Sequence, residues 1–273
     1  MRELPAVTLV KLGGSLLTEK RAREAARTEV IRDLARQVGA AARRAPGTLV
    51  VGHGSGSFGH AEARARGLSA APARVPPAAI DAVRMAAARL HDIVLAALRE
   101  AGARPASFPP SAHLLATRRD CGEWPRGGID DALLRGELPV VYGDVVLDAD
   151  GAARVCSTED VLLAVAASLR AAGRRILRAV WLGETDGVLD AAGVRIPELV
   201  ALRDGVPESA GPAAGADVTG GMAHRVSRTL RLAEQGVPSW IGDGRARDAL
   251  ERVLGGREEG GTWVRPATAP PDG

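Results

Sequence analysis

Lysine is nearly missing from this 273-residue sequence: of its 36 basic side chains only two, Lys11 and Lys20, carry an ammonium. Aromatic residues are scarce as well, at 3%, so the core must be assembled from Ala, Val, Leu and Ile. The two cysteines, Cys121 and Cys156, stand in no C-x-x-C or Cys/His ligand spacing, which argues against a zinc site and against a disulfide scaffold and predicts buried thiols. No apolar stretch approaches the roughly eighteen residues a membrane span requires, and Arg2 and Glu3 lead straight into a strand where a secretory signal would stand. Blocks of like charge are missing too: the net +3 is spread over alternating Arg and Asp/Glu. That pattern gives a nucleic-acid partner little support. These absences predict a cytoplasmic protein with neither a membrane nor a nucleic acid as partner.

What is present begins with the lysines. Both fall inside one run, Lys11-Leu-Gly-Gly-Ser-Leu-Leu-Thr-Glu-Lys20. Where arginine has replaced lysine almost everywhere else, the retained positions are those at which a compact, movable ammonium differs from a planar guanidinium. Val7-Thr-Leu-Val-Lys-Leu12 reads as a short buried strand, and it ends at Gly13-Gly14-Ser15, where the backbone is free to turn and approach a ligand. A strand delivering glycines and a lysine to one point predicts an anion cradle. The plainer alternative is a tight turn beside a surface lysine.

Strand and helix patterns then alternate. Residues 27–44 carry Val30, Leu34 and Val38 on one helical face, and 48–51 read as a strand. Residues 76–102 form a long Ala-rich helical pattern with Pro at its start and Gly at its end. Residues 139–148 look like two strand pieces broken at Gly143. Ser157, with Asp160 three residues on, caps a helix running to 172. Strands at 178–182, 238–241 and 261–264 alternate with helices at 220–235 and 246–254. This order predicts an α/β fold, a three-layer α-β-α arrangement on a mostly parallel sheet, with ligands at the carboxyl ends of the strands. It predicts one domain over residues 1–265, followed by a flexible tail at 266–273.

The second glycine loop, Gly52-His-Gly-Ser-Gly-Ser-Phe-Gly-His60, packs four glycines, two serines and two histidines behind the second strand. Small residues let the chain wrap a phosphate, and His60 stands where it can donate to an oxyanion. Gly54, Gly56 and Gly59 also satisfy G-x-G-x-x-G, but the acidic residue expected at a strand end about twenty residues later is replaced by a Pro/Ala-rich stretch. No Gly-Lys-Ser/Thr follows, so a P-loop is excluded. A hydrolase elbow fails because Ser55 stands where G-x-S-x-G needs glycine before Ser57. A third cluster, Asp217-Val-Thr-Gly-Gly-Met222, opens the helix that carries Arg225, and helix starts suit anions. Asp144, Asp160, Asp186 and Asp217 are candidate partners for lysines or a metal ion, with solvated carboxylates as the default reading.

Taken together, Lys11-Leu-Gly-Gly-Ser15 with Thr18 and Lys20, the stretch His53 to His60, Val141-Tyr-Gly-Asp-Val-Val-Leu-Asp148, Asp217-Val-Thr-Gly-Gly-Met222 and Leu232-Ala-Glu-Gln-Gly-Val237 resemble the isopentenyl phosphate kinases of the amino acid kinase superfamily. The resemblance runs in order along nearly the whole chain, and the histidine ending Gly-Ser-Phe-Gly-His60 is its most specific marker. It implies transfer of the γ-phosphoryl of ATP, with Mg2+, onto isopentenyl phosphate. It also implies a homodimer, with an acceptor-phosphate lobe at about 1–172 and a nucleotide lobe at about 173–265.

Carried over by position, Lys11 and Lys20 neutralise the transferring phosphoryl, Asp160 orients the lysines, and Gly13, Gly14, Gly54 and Ser55 supply N–H donors. Gly54, Ser55, Gly56, Gly59, His60, Gly143 and Asp144 are expected at the acceptor. Lys11, Gly13, Gly14, Ser15, Asp186, Gly187, Thr219, Gly220, Gly221 and Arg225 are expected at the nucleotide, and no metal ligand of the protein's own is expected. Three positions depart from the family pattern. Thr158-Glu159-Asp160 replaces Ser-Gly-Asp, Glu184-Thr-Asp-Gly187 is one residue short, and Arg225 replaces a lysine. Kinases of another small phosphate or phosphonate, such as the fosfomycin kinases, and a degenerate kinase fold that only binds a phosphorylated ligand are the alternatives at this point.

Overall fold

Which side chains meet is decided by the order in which the strands associate. The computed structural model describes residues 4–19, 22–117, 120–207, 221–257 and 259–267. β1 (Val7–Leu12) lies between β2 (Leu49–His53) and β7 (Ile176–Gly183), parallel to both. With β3 (Pro105–Ser107), β4 (Leu138–Tyr142), β10 (Glu198–Val200), β11 (Ser239–Asp243) and β12 (Thr262–Arg265) they form an eight-stranded sheet in the order β10-β12-β11-β7-β1-β2-β4-β3. The β11–β12 pair is its antiparallel exception. Two hairpins stand apart from it, β5 (Asp144–Leu147) with β6 (Ala153–Cys156), and β8 (Val188–Leu189) with β9 (Arg195–Ile196).

Helices cover both faces, which is why β1 is buried along its whole length. One face packs Val7, Leu9, Val50 and Trp181 against α6 (Gly128–Leu134), α7 (Thr158–Ala171) and α8 (Gly221–Glu234). The other packs Val10, Leu12, Val51 and Val180 against α1 (Gly14–Leu17), α2 (Thr28–Arg44), α4 (Pro77–Glu100) and α9 (Ala249–Leu254). Side chains alternate along a strand, so Lys11 shares the face of Val7 and Leu9 and looks toward α7 and α8. By the same alternation His53, in step with Leu49 and Val51, looks toward α4. A small apolar cluster, including Ala63, Leu68, Ile80 and Val145, joins α3 (Gly56–Ala65) and α4 to the β5–β6 hairpin. The remaining helix, α5 (Pro110–His113), sits beside that hairpin.

The three-layer architecture is the one expected from the alternation, with two local corrections. Cys121 and Cys156 are not thiols but a disulfide, their Cα atoms 5.7 Å apart across 35 residues of sequence. The bond forms because the segment before Cys121 pairs onto the hairpin, Ala116 N–H donating to Leu147 O at 2.8 Å, and β6 returns to the same place. The second correction concerns the glycine loop, which turns helical already at Gly56. The irregular link after β2 is therefore only Gly54 and Ser55.

Candidate active site

The two glycine turns leave adjacent strands at one edge of the sheet, with Leu12 paired to His53. They are in backbone contact. A Cβ built on Gly14 would lie 2.5 Å from Gly56 N, and one on Gly54 would lie 2.6 Å from Gly14 N. Gly56 itself has φ +50°, a left-handed conformation that favours glycine. Thr18 laces the turns together, its hydroxyl accepting the Ser57 N–H at 2.9 Å and donating to Gly14 O at 2.9 Å.

Two of the expected N–H donors are used inside the protein: Gly13 donates to Leu182 O at 2.8 Å and Gly54 to Leu12 O at 2.9 Å. They extend the sheet ladder and are not free for a ligand. The N–H groups of Gly14, Ser15, Ser55 and Gly56, at the two helix starts, have no acceptor among the described residues. His60 follows one turn along α3, half-buried, while Gly59 packs its backbone against Ser55.

On the other side of β1, the Lys11 ammonium donates to Glu159 Oε1 at 2.8 Å, both side chains being less than a tenth exposed. Gly52, the register partner of Lys11 on β2, makes this possible: a Cβ there would meet the Thr158 methyl at 2.7 Å, so its absence lets the first turn of α7 settle on the strand. Arg225, from α8, points its Nε at the same Glu159 oxygen from 3.5 Å. Burial by itself pushes the Glu159 carboxyl up, but the Lys11 ammonium and the Arg225 guanidinium outweigh it and bring it down to about 2. Glu159 is therefore an anion.

Asp160 is engaged by α8 and by the cap of its own helix. Arg228 Nε is 2.5 Å and His224 Nε2 3.2 Å from its carboxylate, and Ser157 Oγ donates to it at 2.8 Å. Burial opposes its ionisation, yet His224, Arg228 and Ser157 hold it well below the usual carboxylate range. Ser157 caps α7 as predicted, accepting the Asp160 N–H at 3.0 Å. The carboxylate that accepts from the Lys11 ammonium is Glu159, at a position where the sequence departs from the family pattern.

The other predicted residues divide. Asp144 is buried and accepts the N–H groups of Ser111 and Val145 at 3.0 and 2.8 Å, and burial raises its carboxyl. Gly143 donates to His53 O at 3.2 Å, and a Cβ on it would press on Cys156 O and Thr158 Oγ1 at 3.3 Å. Gly143 braces the joint between β4, β2 and α7, whereas Asp144 ties the start of β5 to α5. Asp186 accepts the Gly261 N–H at 2.8 Å, and Gly187, with φ +92°, lies against Thr262. Gly221 opens α8 at φ +59°. Lys20, Thr219 and Gly220, like the Asp217 before them, lie outside the described residues.

Sequence reasoning misses a polar chain directly beneath the glycine turn. His53 Nε2 lies 2.9 Å from His91 Nδ1, and His91 Nε2 lies 2.8 Å from Ser107 Oγ. Tyr142 stacks on His53 with ring centres 5.6 Å apart. Burial brings His53 down to about 4 and His91 to about 3, so both are neutral at pH 7. Strand alternation is the one signal that aims His53 at α4.

An eight-stranded, mostly parallel sheet with a lysine and two glycine turns at its carboxyl edge is matched by the amino acid kinase family model over residues 6–243, and the chain belongs to that family. Its place within it is with the isopentenyl phosphate kinases. That of Methanothermobacter thermautotrophicus is 30% identical over 94% of this chain and 98% of its own. That of Haloferax volcanii is 33% identical over 86% of this chain and 91% of its own. A solved isopentenyl phosphate kinase structure superposes with a TM-score of 0.77 at 26% identity, covering 94% of this chain and all of that one. The chain is a phosphotransferase.

Proposed function

We propose that this protein transfers the γ-phosphoryl of MgATP to the phosphate of isopentenyl phosphate, giving isopentenyl diphosphate and ADP. The observation that carries the reading is the buried Lys11 ammonium on the strand that runs into Gly13 and Gly14, against the turn that leads to His60. The relatives supply the acceptor class.

An acceptor phosphate is already an anionic nucleophile, so the protein has to align two polyanions and offset their charge, with no covalent intermediate. In this reading the N–H groups of Gly14, Ser55 and Gly56 hold phosphoryl oxygens, His60 holds the acceptor phosphate, and Lys11 and Lys20 screen the group in transit. Asp186, Gly187, Thr219, Gly220, Gly221 and Arg225 serve the nucleotide half, and the acceptor half ends near residue 172.

Mg2+ enters as part of the substrate. The described residues contain no group of three or more His, Cys, Asp or Glu side chains that could hold a metal, and Glu159 and Asp160 are each engaged by cations. The fit is to an ion carried by the oxygens of ATP. No described helix is long and apolar enough to cross a membrane. The reading includes a cytoplasmic homodimer in isoprenoid synthesis.

A panel of small phosphates and phosphonates incubated with MgATP, followed by product mass, tests the assignment. Isopentenyl phosphate is expected to be the preferred acceptor, with a product one phosphoryl heavier. Transfer to fosfomycin but not to isopentenyl phosphate would overturn it.

A further inference from the structure

Two departures of this sequence from the family pattern, Glu159 and Arg225, are separated by 66 residues and touch each other. They also touch Lys11. One oxygen, Glu159 Oε1, lies 2.8 Å from Lys11 Nζ and 3.5 Å from Arg225 Nε. The three side chains are 5%, 8% and 12% exposed, so little water is present to screen them. The backbone is shaped for both newcomers: Gly52 makes room for the first turn of α7, and a Cβ on Gly183, the last residue of β7, would lie 2.8 Å from Arg225 Nη1.

The charges explain why the two belong together. Asp160 is balanced by Arg228. Among the described residues, Glu159 faces both the Lys11 ammonium and the Arg225 guanidinium, so Arg225 adds positive charge beside a lysine that the carboxylate offsets, as suits a site for polyphosphate. A lysine at 225 would not be equivalent. The guanidinium turns its Nε toward the carboxylate while its Nη1 reaches over the end of β7, two tasks that one ammonium nitrogen cannot perform at once.

We propose that Glu159 and Arg225 act as one positioning unit, in which the carboxylate fixes the Lys11 ammonium on its strand and the guanidinium restores the positive charge that the carboxylate removes. The unit rests on the kinase reading above and deepens it: nucleotide phosphates are recognised by the pair, and the effect of changing one residue depends on the other.

The test is a double-substitution cycle on the full-length protein with Glu159→Gln, Arg225→Lys and the two combined. MgATP affinity is read by calorimetry, kcat and KM by product formation, and folding by thermal melting. Arg225→Lys alone is expected to weaken MgATP binding about tenfold or more, because a single ammonium cannot face Glu159 and the end of β7 at once. Glu159→Gln alone is expected to tighten MgATP binding by about threefold while lowering kcat by about tenfold, because the ammonium loses its anchor. The combined variant is expected to bind MgATP about as tightly as Glu159→Gln alone, roughly tenfold tighter than independent effects would give, because no carboxylate then remains for residue 225 to serve.

Effects that simply multiply, or a Glu159→Gln variant that loses affinity, would overturn the pairing. Should Glu159→Gln fail to fold, Glu159→Gly with Arg225→Lys carries the same comparison. A wild type that binds MgATP and shows the coupling without phosphorylating isopentenyl phosphate overturns the acceptor assignment and leaves the pairing standing, whereas a wild type that binds no MgATP overturns both.

Discussion

Gly14 and Gly56 touch through their backbones: a Cβ on the first would lie 2.5 Å from the nitrogen of the second, and 2.8 Å from its Cα. No side-chain rotation relieves a contact between main-chain atoms, so Gly14→Ala must separate the turns that carry Lys11 and His60. A loss of about 1–3 kcal/mol is expected, the usual cost of forcing a methyl into a packed site. It should come with a larger fall in kcat/KM than in melting temperature. Gly151→Ala is the control, since nothing lies within 4 Å of its Cβ and only its φ of +76° is strained. Denaturant unfolding and steady-state kinetics on both variants check this, and equal kinetic effects would contradict it.

The pair His53 and His91 makes stability pH-dependent. Burial lowers both below the ordinary histidine value, to about 4 and about 3. As pH falls below about 6.5 the unfolded chain takes up protons that the folded one refuses. Their contribution is therefore complete above that pH and is lost progressively down to about pH 3–4. At pH 5 the loss relative to pH 7 is about 2 kcal/mol for each histidine. Denaturant unfolding at both pH values should show a smaller pH difference for His91→Gln than for wild type. An unchanged difference would contradict the buried pair.

Cys121 and Cys156 close a loop of 35 residues' separation, and a cross-link of that span stabilises by about 3–4 kcal/mol in the chain-entropy treatment. Reductant should therefore lower the melting temperature of wild type and leave the Cys121→Ser/Cys156→Ser variant unmoved. A wild type insensitive to reductant after full thiol labelling in denaturant would contradict the bond. Cys156 lies immediately before the Ser157 cap of α7, so opening the loop should also soften the turn that holds Glu159 and Asp160.

Much of this was legible in the amino-acid order because it depends on local period. The strand 7–12, the helix from Pro77 to Glu100 and the Ser157 cap all follow from spacing, and the near-absence of lysine elsewhere singled out Lys11. Features that depend on distant partners were not legible. Glu159 read only as a departure from the family pattern, because the ammonium it meets lies 148 residues away. The cysteines read as thiols because no spacing rule joins positions 35 apart. Gly56-Ser-Phe-Gly read as loop because glycine is a poor helix former, yet contacts with Gly14 and Thr18 override that preference. His53 and His91 meet only because α4 covers the face toward which β2 turns its odd-numbered residues.

The most direct measurement of the central claim is kcat/KM for isopentenyl phosphate in His60→Asn, with MgATP affinity measured on the same preparation. If the acceptor phosphate is held by His60 at the junction of the two glycine turns, kcat/KM falls by about a hundredfold or more while MgATP binding is unchanged, the signature of a lost transition-state contact on one substrate only. A His60→Asn enzyme with wild-type kcat/KM, or one that loses MgATP affinity to the same degree, would contradict the account.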